Sequence, residues 1–129
     1  MLMPAAVLIV LLLGAIAIDS AIVYLGQRQA YNVAFDAAND AAGAGFDPDV
    51  ARRTGDIVYD PTRVEAIAAD AIDAAGIHDL RLVATSIDDG VVSVTVEIEI
   101  DHLLVQAFGR DADEAIRMTA RAGGQTRRP

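Results

Sequence analysis

The sequence contains no cysteine, no tryptophan and no lysine, and its aromatic residues are three tyrosines and three phenylalanines. Without cysteine, disulfide frameworks and zinc-thiolate sites are excluded. Without lysine, P-loop and Schiff-base chemistry are excluded as well. The chain also lacks a phosphate-binding glycine pattern and a local signature of a Ser-His-Asp triad. We therefore expect no enzyme, no catalytic residue and no cofactor.

Positive charge is also scarce, because 10 arginines stand against 19 acidic residues and the formal net charge is −9. Nucleic acid is excluded as an expected partner, since phosphate contacts need a basic surface. The 129 residues suffice for one small domain besides the apolar segment at the N-terminus.

That N-terminal segment is the strongest signal in the sequence. Among the first 25 residues, only Pro4, Gly14, Asp19 and Ser20 are not hydrophobic. A bilayer core is crossed by about 20 apolar residues in a helix. We therefore predict a transmembrane helix that contacts lipid through residues 1–25, with Asp19 as an acid at the membrane edge. Asp19 is either hydrated at the interface or paired with a cation on a neighbouring subunit.

Two other interpretations of this segment stay open. The small-x-small pattern Ala15-Ile16-Ala17 is typical of a secretory signal that is cleaved after Ala17. The segment also fits a buried helix of a soluble protein, although such a helix is rarely apolar on all faces in a small domain.

Helical character continues beyond the apolar segment, and Gly43 and Gly45 are predicted to end it. The pattern predicts a single helix of about 40 residues, half of it outside the membrane. One face carries a stripe at heptad-like spacing, which we interpret as an interface for packing against other helices: Tyr24, Tyr31, Phe35, Ala38 and Ala42.

The rest of the chain predicts a small head. Residues 46–60 are predicted to form a connecting loop. A second, amphipathic helix is then expected to start with Asp60 as N-cap and Pro61 as first residue, and to stop at Gly76.

After Gly76 the period changes to two. Leu80, Leu82 and Ala84 alternate with Arg81, Val83 and Thr85, which predicts a strand with the first three residues on one face. Asp88-Asp89-Gly90 marks a turn, and the even positions 92–100 are apolar. A short helix or packed turn is predicted for 101–109, and a third strand from about Glu114. The fold class is α+β: a long pilin-like helix (1–42), a small acidic head with a three-stranded antiparallel sheet (43–122), and a disordered basic tail (123–129).

Metal sites have weak support in the sequence. His78 and His102 are isolated, and single histidines without a ligand pattern are usually structural. Four aspartates crowd one loop and offer oxygen ligands for Ca²⁺, but they lack the EF-hand spacing: Asp47, Asp49, Asp56 and Asp60. We expect a solvated acidic loop and no metal ligand.

The N-terminal region resembles a known family. The segment Gly14-Ala15-Ile16-Ala17-Ile18-Asp19, then Tyr24, then Gln27-Arg28-Gln29 leads into Asn32-Val33-Ala34-Phe35-Asp36-Ala37-Ala38. This order is similar to the N-terminal signature of TadE/TadG-like proteins, which are minor pilin-like components of the tight-adherence (Flp) branch of type IV pili. The match covers residues 14–42.

The resemblance implies a structural protein that is anchored in the bacterial inner membrane with an extracytoplasmic head, or that belongs to a cell-surface pilus. Its implied partners are other pilin or pilus-assembly subunits, in an oligomeric assembly held by helix packing. The alternative function is a small acidic binding domain secreted after cleavage behind Ala17.

Overall fold

The structure is a computed structural model that describes residues 3–101 and 113–123. It has α+β architecture, with the elements in this order: α1 (Met3–Ala44), α2 (Pro48–Thr54), α3 (Pro61–Ala75), β1 (Leu80–Asp88), β2 (Val91–Asp101) and β3 (Asp113–Gly123). The strands form one antiparallel sheet in the order β1-β2-β3. The predicted fold class, with its long N-terminal helix, second amphipathic helix and three strands, is confirmed.

The core lies between one face of α1 and the inner face of the sheet. α1 contributes five fully buried alanines, and no larger side chain of this helix is buried: Ala30, Ala34, Ala37, Ala38 and Ala41. Opposite them, β2 contributes Val92, Val94, Val96, Ile98 and Ile100. Burying a valine or isoleucine contributes roughly 1.5–3 kcal/mol, so β2 supplies much of the stability of the head.

The sheet approaches α1 closely at the end of the head that is nearest the apolar segment. A Cβ atom added at Gly26 would lie 2.6 Å from Cδ1 of Ile100, near the end of β2. The first side chains that pack against the core are those of Ile22 and Val23. The head is therefore built on the second half of α1, and the helix passes without interruption from the apolar segment into the core.

β1 and β2 form the predicted hairpin with a two-residue turn. Asp89 and Gly90 both have positive φ (48° and 78°), which is the geometry of a type I′ turn. The register pairs Asp88 with Val91 and Ile87 with Val92. The alternation predicted for β2 is confirmed, with its even positions buried.

The prediction for β1 was wrong at Ala84, which is exposed. The register shifts between Leu82 and Ala84, so the strand contains a β-bulge. Beyond the bulge the odd positions face inward, and Thr85 and Ile87 are half-buried. The bulge allows Leu82 and Ile87, which differ in parity, to face the same core.

The connection between α1 and α3 also differs from the prediction of a plain loop, because it contains α2. Asp47 is the N-cap of α2, and its Oδ1 accepts hydrogen bonds from the backbone N–H groups of Asp49 (2.8 Å) and Val50 (3.2 Å). Pro48 occupies the first turn, and Gly55 ends the helix in the left-handed conformation with φ 78°. These signals specify one short helix inside an otherwise irregular segment.

α3 follows the predicted boundaries. Asp60 caps it by accepting from the N–H of Thr62 (3.0 Å), and Gly76 ends it with φ 63°. Val64, Ala68 and Ile72 are buried, whereas Ala75 in the last turn is exposed. α3 packs against α1 and β1 on the inner side of the sheet. The head therefore has two layers, helices on one side and sheet on the other.

The third strand is confirmed, with Met118 half-buried and Ala120 and Ala122 buried on the inner face. α1 extends two residues further than predicted, to Ala44. The predicted turn at 101–109 (apart from Asp101, which ends β2), His102, and all but the first residue of the predicted tail lie outside the described residues.

The alanine face of α1 makes a first prediction. Ala30→Leu should lower the free energy of unfolding by about 1–3 kcal/mol, because Ala30 is fully buried and a larger side chain must push the sheet away. Denaturant unfolding of the full chain in detergent, followed by circular dichroism, measures this loss.

The neighbouring exposed position supplies the control. Gln29→Leu introduces the same residue one position earlier and should change stability by no more than about 0.5 kcal/mol. Equal losses in both variants would contradict the packing described for this face.

Candidate functional site

The first half of α1 is uncovered by the head. Among the described residues, α1 is the one helix long and apolar enough to cross a membrane, and its most apolar window is not buried at all. Its large side chains are exposed between Met3 and Ile18. At 1.5 Å per residue, residues 3–21 extend over about 28 Å, close to the roughly 30 Å of a bilayer hydrocarbon core.

Polar groups appear where this apolar segment meets the head. The Oγ of Ser20 donates to the backbone carbonyl of Ile16 (2.9 Å), so the hydroxyl is satisfied within the helix. Asp19 is half-buried and borders a shallow depression together with Val23, Tyr24 and Gln27. Its position at the end of the apolar segment fits the predicted membrane-edge acid, a role that stays a prediction.

The structure divides the predicted helix-packing stripe in two. Tyr24, Tyr31 and Phe35 are exposed by 62%, 43% and 42%. Ala38 is instead fully buried in the head, and Ala42 is half-buried against the core. The carbonyl of Ala42 also accepts a hydrogen bond from the Tyr59 hydroxyl (3.2 Å). Only the aromatic part of the stripe is open to another chain.

The two central aromatic residues support each other. The rings of Tyr31 and Phe35 are one helical turn apart and stacked, with centroids 6.3 Å apart and an interplanar angle of 18°. A stacked pair of this kind is a rigid, amphipathic surface with little side-chain entropy left to lose on contact. We call Tyr24, Tyr31 and Phe35 the aromatic face of α1.

The acidic loop has a structural role in the described geometry. Asp47 and Asp60 are the N-caps of α2 and α3, and Asp49 pairs with Arg52 at 3.5 Å. Asp56 is exposed in the connection. In the part of the chain that the structure describes, no group of three or more metal-ligating side chains converges. His78 is almost fully exposed and contacts Asp79 through Nδ1 at 2.8 Å.

One charged cluster was not predicted, and it lies on the outer face of the sheet. Glu97 on β2 is flanked across the strands by Arg81 on β1 and Arg117 on β3. Arg117 donates through Nε to Oε2 of Glu97 (2.6 Å), and Arg81 donates to Oε1. The two guanidinium groups cover the carboxylate, so only 6% of the Glu97 side chain is exposed on an otherwise open surface.

The arginines hold Glu97 in its charged form. Hydrogen bonds from Arg117 and then Arg81 lower the pKa of Glu97, and the partial burial of its carboxylate opposes this effect. The cluster carries one net positive charge, because two guanidinium groups share one carboxylate. It also ties the three strands together on the side away from the core.

The sequence placed Glu97 on the exposed face of β2 but gave no reason to pair it. The ion pairs depend on the register of β2 with both β1 and β3, and the bulge in β1 brings Arg81 opposite Glu97. The sequence did contain one signal for the bulge, because Leu82 is an even position and Ile87 an odd one. With a two-residue turn at Asp89-Gly90, both side chains can face the core only if β1 contains one extra residue.

Comparisons of the chain with protein-family models, with curated proteins and with solved structures gave no match.

The charged cluster makes a pH-dependent prediction. Glu97→Gln should lower stability at neutral pH, because the arginines lose their carboxylate. Since the pKa of Glu97 is lower in the folded than in the unfolded chain, its contribution is present above the unfolded pKa of about 4.3 and is lost as pH falls through the lowered folded value. The stability difference between wild type and variant should therefore shrink below about pH 4.

Denaturant unfolding of the full chain in detergent at a series of pH values tests this expectation. Glu99→Gln is the matched control, because Glu99 lies two residues further along the same strand and face but is exposed. A stability difference for Glu97→Gln that does not change with pH would contradict the assignment.

Proposed function

We propose that this protein is a membrane-anchored structural subunit of an assembly, in which the first half of α1 crosses the bilayer and its second half carries the head. The observation that carries the proposal is the division of α1 itself. The head covers the alanine face from Ala30 to Ala41, while the apolar segment before Ile22 is left without cover. In water, so large an exposed apolar surface needs a partner, which a lipid bilayer provides.

The aromatic face of α1 supports contact with neighbouring subunits. It lies outside the membrane segment or at its edge, on the side of α1 that the head leaves open. Exposed aromatic residues are typical anchors of protein interfaces, because they bury a large area at little entropic expense. A neighbouring helix can pack against this face without a second binding site on the chain. No arrangement of the described residues resembles a catalytic centre.

The resemblance of residues 14–42 to TadE/TadG-like proteins narrows the proposal. On this basis the chain is a minor pilin-like component or assembly factor of a tight-adherence type IV pilus, with the head on the extracytoplasmic side. The long helix that carries a small α+β head supports this proposal, as does the open aromatic face. Its partners are then other pilin or pilus-assembly subunits.

One observation also supports the alternative function, a secreted binding domain. The hydrophobic core begins at Ile22, so cleavage after Ala17 would remove none of the side chains that pack against it. A released head of this kind would be a small acidic binding domain. The two functions predict different mature N-termini.

N-terminal sequencing of the protein from fractionated cells distinguishes them. For an anchored subunit we expect the apolar segment to be retained and the protein to stay in the membrane pellet after alkaline extraction. A soluble protein that starts at Ile18 would contradict the anchorage and support secretion.

Substitutions on the aromatic face test the packing. Tyr31→Asp or Phe35→Asp should abolish assembly, scored as crosslinked oligomers in membranes and as sheared pili by microscopy, because a charge replaces a buried anchor. The head should stay folded, with a stability change of no more than about 1 kcal/mol, since both rings are partly exposed.

Gln29→Glu is the matched control for the added charge. Gln29 is exposed on the same stretch of α1, but it lies about 140° from the centre of the aromatic face on the helical wheel and is not three or four residues from any of its members. Normal oligomers and pili from Tyr31→Asp and Phe35→Asp would count against the proposed role of this face.

A further inference from the structure

One side of α1 carries a continuous stripe that is longer than the aromatic face. Its members alternate in steps of four and three residues, which is the heptad spacing of helices that pack along each other. From the N-terminus they are Met3, Val7, Val10, Gly14, Ala17, Ala21, Tyr24, Arg28, Tyr31 and Phe35. We call these ten residues the seam of α1. Arg28 is its one charged member, and the aromatic face forms its upper part.

The whole seam is open in the structure. All of its members are exposed, in the apolar segment as well as beside the head. At Gly14 an added Cβ atom would have no neighbour within 4 Å outside the adjoining helix backbone. The next position of the same spacing, Ala38, is fully buried in the head. The open seam therefore ends at Phe35.

The length of the seam indicates what covers it. Tyr31 and Phe35 lie 10 and 14 residues beyond Ala21, the end of the apolar segment, which is about 15 and 21 Å along the helix. The polar region of one bilayer leaflet is only about 5–8 Å thick, so lipid does not reach these rings. A heptad stripe that continues from the bilayer to this height fits a second helix, anchored in the same membrane and parallel to α1.

Arg28 favours a second copy of this chain as that helix. It takes an a position of the heptad, between Tyr24 and Tyr31 at d positions. In a parallel, in-register pair, each Arg28 packs against Tyr24 and Tyr31 of the other copy, and a guanidinium group is attracted to the faces of such rings. Arg28 has no acidic residue three or four positions away on α1. Within the described part of the chain it also forms no salt bridge.

The same arginine limits the number of helices. A single polar or charged residue at an a position fixes the register and the oligomeric state of a coiled coil, at some cost in stability. In a two-stranded pair, the two Arg28 guanidinium groups leave the interface on opposite sides and stay in water. In a bundle of three or more helices they would point toward one axis, where burial and like-charge repulsion are unfavourable.

The sizes of the seam residues agree with such a pair. Gly14, Ala17 and Ala21 are small, and small residues let helices approach closely in a bilayer. Helices with this packing cross at about 20°, so they move apart beyond the small residues. The rings of Tyr31 and Phe35 fill the wider space above the membrane. The separation also leaves room for the two heads.

We infer that α1 binds α1 of a second copy along the seam, as a parallel two-fold pair that begins in the bilayer and extends to Phe35. The inference rests on the proposed function, because it needs the membrane anchorage and names the partner of the aromatic face. The same surface is used by both copies, so the contact is isologous and closes at two chains. The unit that joins a larger assembly is then a dimer.

The expected strength follows from the size of the contact. The seam is about 48 Å long and a helix is about 10 Å wide, so each copy buries roughly 500 Å², less than the roughly 800 Å² per partner of a stable complex. The pair is therefore weak between chains that are diluted in detergent. Anchoring both copies in one bilayer raises their effective concentration and makes the contact sufficient.

Disulfide crosslinking of single-cysteine variants tests the pair, since the chain has no native cysteine. Ala17→Cys and Ala21→Cys lie on the seam, where each residue meets its own counterpart. When membranes that contain the full chain are oxidised, we expect a disulfide-linked dimer from each variant. Leu12→Cys and Ile16→Cys are the matched controls, because both residues are exposed in the same segment but lie about 100–140° from the seam on the helical wheel. They should crosslink about fivefold less or weaker, since a disulfide needs Cα atoms within about 7 Å.

The charge of Arg28 provides a second readout in the Ala21→Cys chain. Arg28→Glu should lower the dimer yield about fivefold or more, because two cation–π contacts are lost and each is worth about a factor of two to five. When this chain is co-expressed with an Ala21→Cys chain that keeps Arg28, the mixed dimer should be restored, since opposite charges then meet across the seam. An epitope tag on one chain separates the mixed dimer from the two others.

Arg63→Glu is the matched control for this charge change. Arg63 is exposed in the first turn of α3, away from the seam, and a negative charge is favourable at a helix N-terminus. The variant should therefore leave the dimer yield unchanged.

The outcomes separate this inference from the proposed function. Equal crosslinks from Leu12→Cys and Ile16→Cys, or none from the seam variants while the protein stays in the membrane pellet, would overturn the pair and leave the anchorage intact. A mixed dimer no stronger than that of Arg28→Glu alone would place Arg28 among lipid head groups and overturn its position between the helices. Loss of the protein from the membrane pellet would instead contradict the anchorage on which both depend.

Discussion

The absence of large side chains on one face of α1 is the constraint on which the structure depends. Five alanines are fully buried there, and a sixth position, Gly26, faces Ile100 so closely that a methyl group would collide. Because the helix is smooth, the valine and isoleucine side chains of β2 reach its backbone and fill the space between the layers. A head with few aromatic residues thus obtains a closely packed core. The large side chains of α1 are left for its other faces and for its apolar half.

Much of the architecture could be predicted because local signals agreed with tertiary packing. α3 begins at Pro61 after the N-cap Asp60 and ends before Gly76, as the capping preferences of these residues predict. The alternation along β2 identifies its buried face. The sequence was less informative where the environment of a side chain depends on how the strands pair. Ala84 was placed on the wrong face because the bulge in β1 is required by the register of a distant strand. The salt-bridged Glu97 was missed for the same reason.

The candidate site was likewise predicted only in part. The length and apolar character of the first half of α1, and the place of Asp19 at its end, could be predicted from composition, since neither depends on how the rest of the chain packs. The packing stripe was only partly readable. Heptad-like spacing groups Tyr31 and Ala38 on one side of a helix, but it cannot show that the head covers the alanines and leaves the rings open. Which part of a helical face remains available is decided by the elements that pack beside it.

The continuity of α1 has a mechanical consequence. The same 42-residue helix contains the apolar segment and the face that packs in the core, and no loop, proline or helix break separates the two parts after Pro4. A head fixed in this way moves together with the apolar segment. A tilt of about 20°, common for helices in bilayers, moves the far end of the outer half by roughly 12 Å. Inserting one residue near Ser20 would rotate the head by about 100° around the helix axis and lift it by about 1.5 Å. The continuous helix therefore fixes the height and the orientation of the head relative to the apolar segment.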